Sequence, residues 1–253
     1  MTIVGIVLAV LVAIGAVVAL TRKDSDETAD TTTTTTVAGD ATSTTIASTA
    51  AELPAPPKGI TLTEATTCPP SDGAPERVVK FAGPPPECID PDATYTATFA
   101  TTEGDFTATL DATAAPTTVN NFVVLARYGY YDGVPFHRVV PSFVIQAGDG
   151  DGDPWGTNDL GYEIDDELPK DASAYTDYSL AMANSGPDTN GSQFFVVLPG
   201  GGAQLQPLYS WFGQVTEGTE VVDAIAALGT PEAAAPSKAV VIDSVSITET
   251  PAG

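Results

Sequence analysis

The sequence predicts a mainly β domain, a closed or nearly closed β-barrel carrying two helices, set behind an N-terminal transmembrane helix and a disordered stalk. Three observations lead there. After residue 95, short apolar runs succeed one another, each bounded by Gly, Pro, Asn or Asp, which is the pattern of closely turned strands. Two segments among them space their apolar residues for a helix. Ahead of them stand an uncharged apolar run and a tract of Thr, Ala, Ser and Pro.

Residues 3–20, IVGIVLAVLVAIGAVVAL, are 18 uncharged and mostly apolar residues, near the lower limit for a helix that spans a bilayer. No basic start and no small-residue cleavage site marks a removable signal peptide. Residues 1–23 are therefore assigned as an uncleaved, single-pass anchor in the cell membrane. Arg22 and Lys23 come directly after the apolar run, and the positive-inside rule alone would put the C-terminal side in the cytoplasm. Residues 24–56 argue otherwise. They form a Thr/Ala/Ser/Pro-rich linker without an aromatic residue, unable to bury enough surface to fold. Such stalks hold a domain away from an outer membrane face, so the expected place of the domain is extracytoplasmic. An upstream basic segment lost to a misplaced start codon would reconcile the two signals.

Residues 57–92 form a Pro/Gly-rich collar carrying both cysteines, Cys68 and Cys88. The pair reads as one disulfide in an oxidising compartment, with two idle thiols as the alternative. The main domain is assigned to residues 93–250. It opens on YTATFATTEGDFTATLD, two alternating runs broken at Glu103–Gly104, a β-hairpin. In APTTVNNFVVLARYGYYDG, Pro116 suits a first helical turn. Val119, Phe122, Val123 and Ala126 share one face, and Gly129 ends the helix. Strands are expected at FHRVV, FVIQAGD, SLAMAN, SQFFVVL and SWFGQV, a second helix at GTEVVDAIAAL and a closing strand at AVVIDSVSIT.

Charge excludes several functions. Nine basic residues stand against 33 acidic ones, a net charge of −24. Nucleic-acid binding needs a basic footprint, and an anionic membrane surface would repel this chain. A single histidine, His137, cannot build a multi-histidine metal site. No G-x-S-x-G elbow accompanies it. The loop DGDGDPWGTNDL, 149–160, has Asp at its first, third and fifth positions. Pro154 then replaces the glycine a calcium loop needs, and Leu160 its bidentate glutamate. Asn190-Gly191-Ser192 matches a glycosylation triplet by pattern only.

Three long motifs, in order and in register, carry a resemblance: FHRVVPSFVIQAGD, SLAMANSGPDTNGSQFFV and WFGQV. From about Tyr95 to Thr248 the chain resembles a cyclophilin-type peptidyl-prolyl cis–trans isomerase. The resemblance implies an eight-stranded antiparallel barrel capped by two helices, with the active site on one outer face. It implies proline-containing polypeptides as partners, no metal or other cofactor, and a monomer. By motif position Arg138 corresponds to the catalytic arginine. Phe143, Val144, Gln146, Ala183, Asn184, Gln193, Phe195, Leu205 and Tyr209 fall at substrate-groove positions. Tyr209 stands where many members have a histidine, and Gln204 where some have a tryptophan that contacts cyclosporin. Val144 replaces a common methionine and Ser185 a common alanine.

The chemistry suits these residues. Amide resonance raises a barrier of about 18–20 kcal/mol to rotation of the peptide bond. Rotation breaks no bond, so it needs neither nucleophile nor metal. An apolar pocket that grips the proline ring, and a donor that meets the nitrogen lone pair as it localises, both favour the twisted state. A guanidinium is a rigid, charged donor for that purpose. The expected function is an isomerase assisting the folding of exported or surface proteins. A non-catalytic proline-peptide-binding module, and a stalked adaptor working through its collar, are the competing readings. His137 is expected to be structural, facing away from Arg138 by strand alternation.

Overall fold

The computed structural model describes residues 50–253 except 153, 158, 231–234 and 253. The expected anchor, 1–23, and the linker up to residue 49 lie outside the described residues. Among those described, no helix is long and apolar enough to cross a membrane.

The collar contributes two short parallel strands, β1 (Ile60–Thr61) and β2 (Val78–Lys80). The hairpin comes next as β3 (Thr94–Thr101) and β4 (Gly104–Leu110), turning where the sequence breaks. Helix α1 (Pro116–Arg127) leads to β5 (Val134–Pro135), β6 (Arg138–Val140) and β7 (Val144–Ala147). Then come β8 (Ser179–Met182), β9 (Phe194–Val197), β10 (Trp211–Glu217), helix α2 (Thr219–Ala226) and β11 (Val241–Thr250).

Nine strands hydrogen-bond in the order β5-β11-β3-β4-β10-β8-β9-β7-β6, every pair antiparallel. The expected count was eight, and the added strand is the two-residue β5. Its neighbour in sequence, β6, lies at the opposite end of that order, with only Phe136 and His137 between them. Two intervening residues span no more than about 10 Å. The sheet must therefore curl until its edges nearly meet, and the backbone joins them where the hydrogen bonding stops.

Inside the curl, Phe122 of α1 meets Phe99, Tyr131, Phe194 and Phe212 with ring centroids 5.0–6.0 Å apart. Each such side chain contributes about 1.5–3 kcal/mol on leaving water. The expected apolar face of α1 points here. Its other face is buried too, every residue from Thr118 to Arg127, because the collar lies across it. The Cys88 N–H donates to Asn120 Oδ1 at 2.7 Å, and the Asn120 amide donates to the Pro86 carbonyl at 2.9 Å. The Ala74 N–H donates to the Arg127 carbonyl at 2.7 Å. Cys68 and Cys88 are disulfide-bonded, and no cysteine is free. The last residues of the linker are held as well. Ala51 N–H donates to the Pro236 carbonyl, and Trp155 Nε1 donates to that of Pro54.

The N-terminus of α1 is capped from far along the chain. Thr117 and Thr118 N–H groups donate to the Glu167 carboxylate at 3.0 and 2.8 Å, placing negative charge where the helix dipole favours it.

Candidate active site

Strand register builds the site. Arg138 on β6 stands opposite Gln146 on β7, Gln146 opposite Phe195 on β9, and Phe195 opposite Ala181 on β8. Directly opposed residues share a face of a sheet, so these four form a row across the outer surface. Phe194 turns inward to Phe99 and Phe122. Phe195, one residue on, joins a second apolar cluster with Val144, Tyr175, Ala181, Val197 and Leu205.

A cavity of about 160 Å³ opens on that face, lined by Arg138, Phe143, Val144, Gln146, Ala183, Asn184, Phe195, Leu205 and Tyr209. Nine of the ten site residues expected from sequence thus meet at one place. The tenth, Gln193, lines a more polar cavity of about 480 Å³ beside it, which shares Gln146, Ala183 and Asn184 with the first. Among the residues lining either cavity, Arg138 is the one cation.

A relay of side chains holds Arg138. Its Nη1 donates to Gln146 Oε1 at 3.3 Å, and Gln146 Nε2 donates to Gln193 Oε1 at 2.9 Å. The guanidinium carbon lies 5.7 Å from the centroid of the Phe143 ring, within cation–π range. Phe195 and Tyr209 meet edge to face at 5.4 Å. The Tyr175 hydroxyl fixes Tyr209 by donating to its carbonyl at 2.7 Å, a partner with no sequence signal.

The run PGGGAQLQPLYS delivers Leu205 and Tyr209, and its glycines have a packing reason. A Cβ at Gly201 would stand 2.2 Å from the Phe143 carbonyl oxygen, and one at Gly202 1.8 Å from that of Tyr175. Gln204 does not line the cavity. Its amide donates to the Ser142 carbonyl at 2.9 Å, beside Phe143.

His137 is buried and lines neither cavity. Strand β6 begins at Arg138, so alternation does not govern the residue before it. The His137 Nδ1 has no hydrogen-bond partner among the described residues, and the ring feels Gln193, the side chain that accepts from Gln146. Burial holds its pKa down to about 4 from an ordinary 6.5, with the Arg138 charge pushing the same way and Gln193 opposing. An unfolded chain takes up this proton below about pH 6.5, the native one only near pH 4, so stability falls as pH drops through that window. By pH 4 the protein should lose about 3 kcal/mol relative to a His137→Asn variant, measured as urea midpoints of both from pH 7 down to 4. Taking the difference cancels Asp151, whose carboxyl is pushed up to about 6 by burial and Asp149 and has the opposite slope. A pH-independent difference would show that the native ring titrates normally.

Two motifs set aside on sequence are occupied structurally. Asp149 is fully buried, with its carboxylate accepting the Gly152 and Gly156 N–H groups at 3.0 and 2.5 Å. Asn190 is also fully buried, and its amide donates to Asp166 at 2.7 Å.

A curled antiparallel sheet with two helices, presenting an apolar pocket and one fixed guanidinium on its outer face, defines a protein built to grip a peptide ring and a nearby amide. Comparison with known proteins gives the class its name. Residues 96–247 match the family described as cyclophilin type peptidyl-prolyl cis-trans isomerase/CLD, and the chain belongs to that family of peptidyl-prolyl cis–trans isomerases. It is 40% identical over 169 residues to the probable peptidyl-prolyl cis-trans isomerase A of Mycobacterium leprae, covering 60% of this chain and 91% of that one. It is 41% identical over 126 residues to peptidyl-prolyl cis-trans isomerase-like 1 of Emericella nidulans, covering 49% and 77%. A crystal structure of a cyclophilin type isomerase from Cryptosporidium parvum superposes with a TM-score of 0.56 at 28% identity, covering 62% of this chain and 99% of that one.

Proposed function

We propose that this protein accelerates X–Pro rotation in exported or surface polypeptides, from a membrane tether, with Arg138 as the catalytic residue. The observation that carries the catalytic part is the placement of one guanidinium at the rim of an apolar cavity, fixed through Gln146. Phe143, Phe195, Val144 and Leu205 would receive the proline ring and exclude water. As the amide twists, its nitrogen lone pair localises, and the Arg138 N–H groups meet it. An acceleration of about 10⁵-fold needs about 7 kcal/mol. A single preorganised donor supplies about 2.7–4 kcal/mol of that, by analogy with oxyanion donors. Desolvation and anchoring of the ring supply the rest.

The setting is supported by the apolar run at 3–20, the stalk composition and the Cys68–Cys88 bond, since disulfides persist in oxidising compartments. The test of activity is exchange spectroscopy on a short Ala–Pro peptide with the purified full chain. Cis–trans exchange should run well above the uncatalysed rate, about one event per 10–100 s. A rate equal to buffer would leave a proline-peptide binder. For the setting, protease added to intact cells should destroy the isomerase domain while a cytoplasmic control survives. Protection of the domain would place it inside.

A further inference from the structure

The polar cavity beside the proline pocket has one wall made of Asp159, Leu160, Gly161 and Tyr162. The support for that wall comes from the collar, which lies outside the residues matched to the family. The Phe81 N–H donates to the Leu160 carbonyl at 2.9 Å. The Phe81 ring packs edge-on against Tyr162 at 6.2 Å. Lys80 pairs with Asp159. Gly161 comes so close that a Cβ there would stand 2.1 Å from the Phe81 carbonyl oxygen. Tyr162 donates to Asn121 at 2.5 Å, and the Asn121 amide donates to the carbonyl of Gly191, also in the cavity lining, at 2.8 Å.

These contacts are unequal. Lys80 and Asp159 are well exposed at the surface, where such a pair holds little. Phe81 and Leu160 are each 2% exposed, so their packing and backbone bond set the wall's position. Phe81 comes directly after β2, whose partners, strand β1 and the Leu62 N–H that donates to the Lys80 carbonyl, lie upstream of Cys68. The Cys68–Cys88 bond therefore closes the loop that contains Phe81.

We propose that the disulfide-closed collar is a working part of the substrate groove. Phe81 is the positioning residue for the Asp159–Tyr162 wall. The cysteine bond thereby controls binding of peptides long enough to reach the polar cavity, while turnover at the proline itself stays with the Arg138 pocket. The inference rests on the isomerase reading of the Arg138 site. It makes redox state a control on substrate length rather than on catalysis.

The test compares a blocked Ala–Pro dipeptide with an eight-residue peptide centred on the same Ala–Pro. The full chain is taken oxidised, reduced by dithiothreitol and reoxidised, beside Phe81→Ala and the Cys68→Ser/Cys88→Ser double variant. Exchange spectroscopy gives kcat and KM, and calorimetry gives Kd for the long peptide. On reduction and in both variants, KM and Kd for the long peptide should rise about 5- to 20-fold with kcat unchanged. The dipeptide should show no change, and reoxidation should restore the long peptide. Equal losses on both peptides, a fall in kcat, or no change on reduction would each overturn the proposal. If Phe81→Ala does not fold, reduction of the unaltered chain still decides. An intact Kd difference without turnover in any form would count against the isomerase reading and leave the collar's role standing.

Discussion

Arg138→Ala is expected to lower kcat/KM for an X–Pro peptide about 10²- to 10³-fold, the cost of removing one preorganised donor from a site that stabilises a twisted state. The loss should fall on kcat, since the apolar walls that hold the ring remain. Stability should barely change, because Arg138 is half-buried and, among the described residues, makes one side-chain hydrogen bond, to Gln146. Arg138→Lys should recover only part of the rate. An ammonium restores charge but cannot offer a planar pair of donors to both Gln146 and the substrate nitrogen. Exchange spectroscopy, with urea midpoints for each protein, checks both parts. A variant that turns over within about threefold of the parent would remove Arg138 from the mechanism.

Arg77→Ala should do the opposite, lowering stability by about 3 kcal/mol while leaving turnover of a short peptide intact. This collar arginine donates to four carbonyls. Nη1 reaches Pro57 at 2.8 Å, Nε reaches Gly129 at 3.1 Å, and Nη2 reaches Tyr130 at 2.7 Å and Gly150 at 2.9 Å. One planar group thus ties the start of the collar, the turn after α1 and the loop after β7. Its removal leaves carbonyls in a half-buried place without donors, a larger cost than the bonds' net contribution. Arg77→Lys should remain destabilised, since three donors on one nitrogen cannot span four carbonyls. Denaturant unfolding with unchanged m-values measures the loss. A shift below about 0.5 kcal/mol would show the collar to be held without this residue.

The two arginines illustrate what the sequence made legible. Arg138 sits inside a long motif, so its place was readable from its neighbours. Arg77 sits in Pro/Gly-rich chain outside any motif, and its partners lie 20–73 residues away. No local pattern encodes such a convergence. The same holds for Glu167, which caps a helix that begins 51 residues before it. The FF pair at 194–195 is a third case. Both rings are buried, so hydrophobicity cannot tell core from groove. Motif position picked out Phe195, and strand register shows why it is the one that faces outward.

By itself the sequence determined the hairpin, both helices and the family, and it named the nine residues that line the first cavity, because periodicity, turn residues and long motifs are local signals. Tertiary structure alone decided how many strands join the sheet and that its edges close through Phe136 and His137. It also decided that His137 is buried, and that a disulfide-bonded collar covers α1 and backs the wall of the second cavity. Each of those outcomes depends on groups distant in the chain meeting at hydrogen-bond or van der Waals range. Only the packed molecule sets which of them meet.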